Sequence, residues 1–192
     1  MIFGRKNKIY SDNELMQQIA IGNQPAFAEL YQRYKDRMFY YFYRMLGNSS
    51  EQANDFLQEL FMKLIEKPES YNPKYPFQTW FYSIANNMCK NEYRRREIRQ
   101  EYSSILPLEP QLDFIDEKSI EPEQIIEKIF DTLDELGTEH RSAFLLRYRE
   151  GFSIKDVAEI LGLPEGTVKS RLFYAKKTLA EKLSYLKDEI EF

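Results

Sequence analysis

The 192-residue chain has few of the side chains from which most catalytic and metal sites are built. It contains one cysteine, Cys89, and one histidine, His140. A single cysteine excludes an internal disulfide, and Cys89 stands among apolar positions, as a buried small hydrophobic residue would. His140 has no cysteine, serine or carboxylate constellation around it in the sequence, so we expect a surface role.

The sequence also lacks a phosphate-binding loop, a spacing typical of metal ligands and a nucleophile elbow. It has no run of about eighteen apolar residues, the minimum for a membrane-spanning helix. Its N-terminus, MIFGRKNKIY, lacks the apolar centre of a secretory signal. We therefore expect no catalytic residues, no metal and no cofactor. We also expect the protein to be cytoplasmic, not to be an enzyme and not to insert directly into a membrane.

Hydrophobic and aromatic residues, at 43% and 15%, are abundant enough to support packed cores. Helical periodicity broken by turn residues predicts helices at about 12–21, 25–46, 49–67, 77–99, 122–136, 138–150, 153–161 and 164–187. Residues 101–121 are acidic, contain Pro107 and Pro110, and lack sustained periodicity. The predicted fold class is all-α, with two small helical domains, 1–100 and 122–192, joined by the acidic linker 101–121.

Charge is segregated along the chain, although the total is only −4. Residues 90–99 carry a net charge of +3 and residues 169–182 a net charge of +4, whereas residues 101–123 carry −6. Local patches rather than the total determine where phosphate binds. Two basic segments are therefore candidates for contact with nucleic acid.

The second basic segment belongs to a helix-turn-helix pattern within residues 151–179. Ser153 and Asp156 form a capping pattern, Gly162 suits a helix end, and Pro164 suits the first turn of a second helix. Six residues of the second helix are predicted to face outward, toward the major groove: Thr167, Lys169, Ser170, Arg171, Lys176 and Lys177. An ordinary helical hairpin with a solvated basic face is the alternative.

The first basic segment ends the predicted helix 77–99, after a loop at 68–76 that contains three prolines. Its apolar stripe, predicted to be core, is Phe77, Trp80, Phe81, Ile84 and Met88; a second stripe, predicted to be exposed, is Gln78, Tyr82, Asn86 and Lys90. Arginines hold phosphates, asparagine pairs with base edges, and aromatic rings stack on unpaired bases. A solvated charged helix end is the alternative.

Asp55 and Glu59 stand one helical turn apart and could resemble a metal-binding carboxylate pair. No histidine ligands accompany them, so an acidic contact surface is favoured. The wide apolar face of their helix is Phe56, Leu57, Leu60, Phe61, Leu64 and Ile65.

Three motifs in a fixed order carry a family resemblance. They are DFLQELF at 55–61, FQTWFYSIANN at 77–87 followed by Arg94–Arg96, and the helix-turn-helix that ends in GTVKSRL at 166–172. Together they resemble bacterial RNA polymerase sigma factors of the sigma-70 family, extracytoplasmic-function (ECF) subfamily, over nearly the whole chain. The chain departs from the family pattern at Gly137-Thr138, where proline is common, and at Asn86 and Tyr174, where arginine is frequent.

The resemblance implies a protein that binds core RNA polymerase through its β and β′ subunits. It also implies recognition of −35 and −10 promoter DNA, promoter melting and control by an anti-sigma factor. Polymerase contacts are expected from Asp55, Gln58, Glu59 and Phe61. Contacts with the −10 element are expected from Asn87, Lys90, Asn91, Arg94, Arg95 and Arg96. Contacts with the −35 element are expected from the six outward residues of the helix-turn-helix.

Two other functions remain open from the sequence. A stand-alone helix-turn-helix regulator, whose first domain senses a ligand or dimerises, would bind DNA without polymerase. A helical adaptor that binds only protein would show no salt-dependent DNA binding.

Overall fold

The computed structural model describes residues 10–102 and 122–184. Eight α-helices and no strand occur in these ranges. The helices are α1 (Asp12–Ala20), α2 (Gln24–Met45), α3 (Ser50–Glu66), α4 (Phe77–Tyr102), α5 (Pro122–Glu135), α6 (Thr138–Phe144), α7 (Ile154–Leu161) and α8 (Glu165–Lys182). The chain divides into two compact units, residues 1–86 and 87–192.

The all-α prediction is confirmed, and most helix ends lie within one or two residues of those predicted. The loop at 68–76 contains one 3₁₀ turn, Pro68–Ser70, because a proline already has the φ that the first position of a helical turn requires. Helix α6 continues as a π-helical segment, Leu145–Arg149. Helix α4 includes the first two residues of the predicted linker, 101 and 102, and the rest of the linker lies outside the described residues. Helix α8 ends at Lys182, earlier than the predicted end at 187, and residues 185–187 lie outside the described residues. The three-part domain division stays a prediction.

The first unit is built around α2, whose inward side chains include the fully buried Met38, Tyr41 and Phe42. Tyr34 on the same face meets Phe77 and Phe81 of α4 edge-on, with ring centroids 5.4 and 5.5 Å apart. Edge-to-face geometry places the positive ring edge against the negative face of the neighbour. This aromatic packing fixes the start of α4 against α2.

The predicted exposed stripe of α4 is wrong at Tyr82 and Asn86. Tyr82 is fully buried and meets Tyr41 of α2 edge-on at 5.6 Å. Asn86 is 2% exposed, and its Oδ1 accepts a hydrogen bond from the Tyr41 hydroxyl at 3.4 Å. Tyr41 and Asn86 can therefore face this core, because each provides a hydrogen-bonding partner for the other.

The helix-turn-helix prediction is confirmed in the second unit. The Ser153 hydroxyl accepts a hydrogen bond from the Asp156 amide at 3.1 Å, and the Asp156 carboxylate accepts from the Ser153 amide at 3.2 Å. Gly162 ends α7 in the left-handed region, with φ 67° and ψ 40°. This allows the Leu163 amide to donate to the Ala158 carbonyl at 2.9 Å. The buried side chains of α8 are Val168, Leu172, Ala175 and Leu179.

We expect Gly162→Ala to destabilise the helix-turn-helix by about 1–2 kcal/mol, because a Cβ is unfavourable at positive φ. Gly166→Ala is the matched control. Gly166 lies in the first turn of α8 without a positive φ, and nothing is within 4 Å of a Cβ added there. Hydrogen–deuterium exchange of the α7 amides measures both effects. Equal exchange in the two variants would contradict the role given to the left-handed turn.

Candidate nucleic-acid and polymerase surfaces

The outward side of α8 carries most of the residues predicted to contact the −35 element. Four of the six are exposed, namely Lys169, Ser170, Lys176 and Lys177. The Lys176 ammonium lies 5.9 Å from the ring centroid of Tyr148, and the Lys177 ammonium lies 3.8 Å from the Glu181 carboxylate. These contacts are weak and exposed to solvent, so both cations remain available to phosphate.

Thr167 and Arg171 are half-buried rather than fully outward. The Arg171 guanidinium donates to the Glu139 carboxylate of α6 at 2.5 Å, and its side chain is only 17% exposed. Helical spacing places Arg171 at the edge of the exposed side of α8, where α6 can reach it. The guanidinium that was predicted to contact the −35 element therefore already has an anionic partner.

Two exposed aromatic residues on α8 were missed by the sequence reasoning. Phe173 and Tyr174 are 64% and 56% exposed, and their rings meet edge-on at 5.7 Å. Their positions could have indicated this exposure. They follow the inward Leu172 by one and two residues, and this spacing turns both rings away from the core. The exposed side of α8 therefore carries two neighbouring aromatic rings among its cationic side chains.

The basic end of α4 separates into two sides. Asn87, Lys90, Asn91 and Arg94 are exposed, and their spacing of three or four residues places them on one side of the helix. Arg95 is exposed and flanks this side.

Arg96 lies on another side of α4 and is half-buried. Its Nε donates to the Glu92 carboxylate at 3.2 Å, and its guanidinium lies 6.0 Å from the Tyr93 ring centroid. Burial raises the pKa of Tyr93 to about 12, an effect that the positive charge of Arg141 opposes. Cys89 is fully buried, as predicted, and burial raises the pKa of its thiol. The inward side of this segment is therefore occupied by packing, and only its other side is open to a ligand.

The predicted polymerase-binding residues of α3 fall into an exposed group and one buried residue. Asp55, Gln58 and Glu59 are exposed, and Glu59 forms an ion pair with Lys63 at 2.9 Å. Phe61 is 3% exposed and lies in the core of the first unit.

The Phe61 ring meets those of Tyr31 and Phe81 at 4.8 and 5.4 Å, so it supports α3 from within. Ile65 was predicted to be part of the apolar core face but is 50% exposed, and Met62 is 49% exposed. Met62 stands three residues after Glu59 and seven after Asp55, and Ile65 stands three residues after Met62. The outward surface of α3 therefore combines carboxylates with two large apolar side chains.

Within 10–102 and 122–184, no group of three or more His, Cys, Asp or Glu residues could hold a metal ion. No helix in the described part of the chain is long and apolar enough to cross a membrane. His140 is half-buried, and its Nδ1 donates to the Leu136 carbonyl at 2.9 Å.

Comparison with known proteins identifies the family of the chain. Residues 30–98 match the family Sigma-70 region 2, and residues 126–179 match Sigma-70, region 4. The ECF RNA polymerase sigma-E factor of Haemophilus influenzae is 30% identical over 185 residues, which cover 92% of this chain and 97% of that protein. The chain belongs to the ECF RNA polymerase sigma factors.

Two further relatives agree. The sigma factor is 28% identical to SigW of Bacillus subtilis over 177 residues, which cover 88% of this chain and 94% of SigW. The solved structure of CnrH in complex with the cytosolic domain of CnrY matches with a TM-score of 0.67 and 26% identity, covering 91% of this chain and 97% of that one. As a sigma factor, the protein binds core RNA polymerase and directs transcription initiation at specific promoters by recognising −35 and −10 elements and aiding melting.

We expect Glu139→Gln to raise the affinity of the sigma factor for −35 DNA by about two- to fivefold, because it releases Arg171 and removes a negative charge. Glu159→Gln is the control, since it removes the same charge at an exposed position of α7. Fluorescence anisotropy with a −35 duplex, measured over a range of salt concentrations, compares the variants. A lower affinity for Glu139→Gln than for the control would mean that the ion pair positions Arg171 for DNA.

Proposed function

We propose that α8 enters the major groove of the −35 element and binds it through Thr167, Lys169, Ser170, Arg171, Lys176 and Lys177, joined by Phe173 and Tyr174. The exposed cationic and aromatic surface of α8 is the observation that carries this proposal. The major groove admits an α-helix. Lysines would neutralise phosphates, while an exposed ring can contact a thymine methyl group. Sequence recognition would then be partly apolar.

We propose that the −10 element is bound by the basic end of α4, through Asn87, Lys90, Asn91, Arg94, Arg95 and Arg96. Asn87 and the loop 71–77 would hold the unpaired non-template base, and the cationic side chains would bind phosphates. The exposure of the first five residues supports this assignment. Arg96 already binds Glu92, so its contribution to DNA binding should be the smallest.

We propose that the outward surface of α3 docks on the β′ subunit of the polymerase through Asp55, Gln58, Glu59, Met62 and Ile65. Interfaces commonly place apolar side chains at the centre and polar ones around them. The carboxylates would orient the approach of a basic partner surface, and the two apolar side chains would supply buried area. Phe61 would act indirectly, by supporting the helix from the core.

We infer that the protein is not an enzyme, because a sigma factor lends promoter contacts to a polymerase that performs the chemistry. It would act in the cytoplasm, where transcription takes place. An anti-sigma factor is an expected partner, and the CnrH structure contains a second protein chain, the cytosolic domain of CnrY.

Charge reversal tests the polymerase-docking surface. We expect Asp55→Lys combined with Glu59→Lys to abolish co-purification with core polymerase while the helical circular-dichroism signal persists, because both side chains are exposed. The matched control is Glu127→Lys combined with Asp131→Lys, the same charge change at the same spacing on exposed positions of α5. Survival of core binding in the α3 variant would place the docking surface elsewhere.

Promoter melting tests the −10 assignment. We expect Asn87→Ala to lower open-complex formation more on duplex promoters than on pre-melted ones, because captured bases offset the loss of stacking. Permanganate footprinting on both templates measures the difference. Gln32→Ala is the control, since Gln32 is an exposed amide side chain of α2 outside the proposed DNA surface. Equal losses on the two templates for Asn87→Ala would indicate simple duplex recognition.

A further inference from the structure

One side chain of α1, Asn13, binds the loop 71–77 at three points. Its Oδ1 accepts from the Tyr71 hydroxyl at 2.6 Å and from the Phe77 amide at 3.3 Å. Its Nδ2 donates to the Pro73 carbonyl at 3.4 Å. Asn13 thus contacts the first residue, the last residue and the interior of the loop, across a sequence separation of about sixty residues.

The two ends of the loop are buried, and the residues between them are exposed. Tyr71 and Phe77 are 7% and 2% exposed, whereas residues 72–76 all face solvent. The Tyr71 ring packs on Trp80, with ring centroids 4.9 Å apart. The Tyr71 hydroxyl also lies 2.8 Å from the Tyr75 carbonyl, so Asn13 and this carbonyl share its single proton. The polar clasp made by Asn13 and Tyr71 therefore holds an exposed loop in one shape.

Holding the loop in advance has an energetic consequence for any ligand it receives. Ordering one free backbone residue costs about 1–2 kcal/mol, so a loop that becomes ordered only on binding loses affinity accordingly. Extraction of a base from the duplex already costs a few kcal/mol. A loop fixed before the base arrives adds no further ordering cost.

We propose that Asn13 is a positioning residue for promoter melting, which holds the loop 71–77 in the conformation that receives an unpaired base of the −10 element. This inference rests on the proposed role of the loop. Asn13 itself does not contact the DNA; it acts through Tyr71, Pro73 and Phe77.

The variant Asn13→Ala removes all three hydrogen bonds. We expect open-complex formation on duplex promoters to fall on the order of tenfold, with a smaller loss on pre-melted promoters and unchanged binding of core polymerase. Trp80 is the only tryptophan of the chain and lies against Tyr71. Its fluorescence should therefore become easier to quench with acrylamide in the variant, which reports on loop order independently of transcription.

Three further variants separate positioning from helix stability. Ser11→Ala breaks the capping box of α1 without touching the loop, so template discrimination should stay as in the parent. Asn13→Asp keeps the acceptor for Tyr71 and Phe77 but loses the donor to Pro73, and should restore part of the activity. In a Tyr71→Phe background, Asn13→Ala should cause a smaller further loss than in the parent, because one of the three hydrogen bonds of Asn13 is already absent.

The inference is overturned if Asn13→Ala melts duplex promoters like the parent, or if Ser11→Ala produces the same defect. In either case a template-dependent defect in Asn87→Ala would leave the proposed −10 function standing. If neither Asn87→Ala nor Asn13→Ala distinguishes duplex from pre-melted promoters, the proposed function of this surface fails together with the inference.

Discussion

The division of each helix into an inward and an outward side is the constraint on which the binding surfaces depend. Helix α2 provides the fully buried side chains of the first unit, so α3 must turn its own apolar face toward α2. Only the opposite side of α3 remains for a partner, and there Asp55, Glu59 and Met62 are exposed. The same logic applies to α8, where burial of Val168 and Leu172 leaves Phe173 and Lys177 outward. Packing therefore selects which residues can bind.

Helix positions could be predicted from the sequence because their ends are determined locally. The side chains of Ser11 and Ser153 accept hydrogen bonds from backbone amides only three residues away. Gly162 adopts a left-handed conformation that glycine accepts readily. Such interactions depend on short-range order, which a sequence displays directly. The all-α class followed from these signals and from apolar periodicity.

Side-chain environments were less predictable, because they depend on residues distant in the chain. Tyr82 and Asn86 look outward-facing by their polarity, yet Tyr41, more than forty positions earlier, provides their partner in the core. Arg171 meets Glu139 for the same kind of reason. Phe61 resembles a contact residue within its motif but is enclosed by Tyr31 and Phe81. Polarity alone cannot reveal such tertiary partners.

Two successive residues of α1 face different neighbours. Asp12 accepts hydrogen bonds from Tyr34 and, at 2.7 Å, from Arg33 on α2, whereas Asn13 holds the loop 71–77. The contacts of α1 with α2 and with the loop 71–77 thus come from a single helical turn. The exposed residues 72–76 contribute little to the core. Those five positions can be exchanged during evolution while the ends of the loop stay in place. If the loop receives the −10 base as proposed, such exchanges would alter which promoters are recognised and leave the packing of the first unit unchanged.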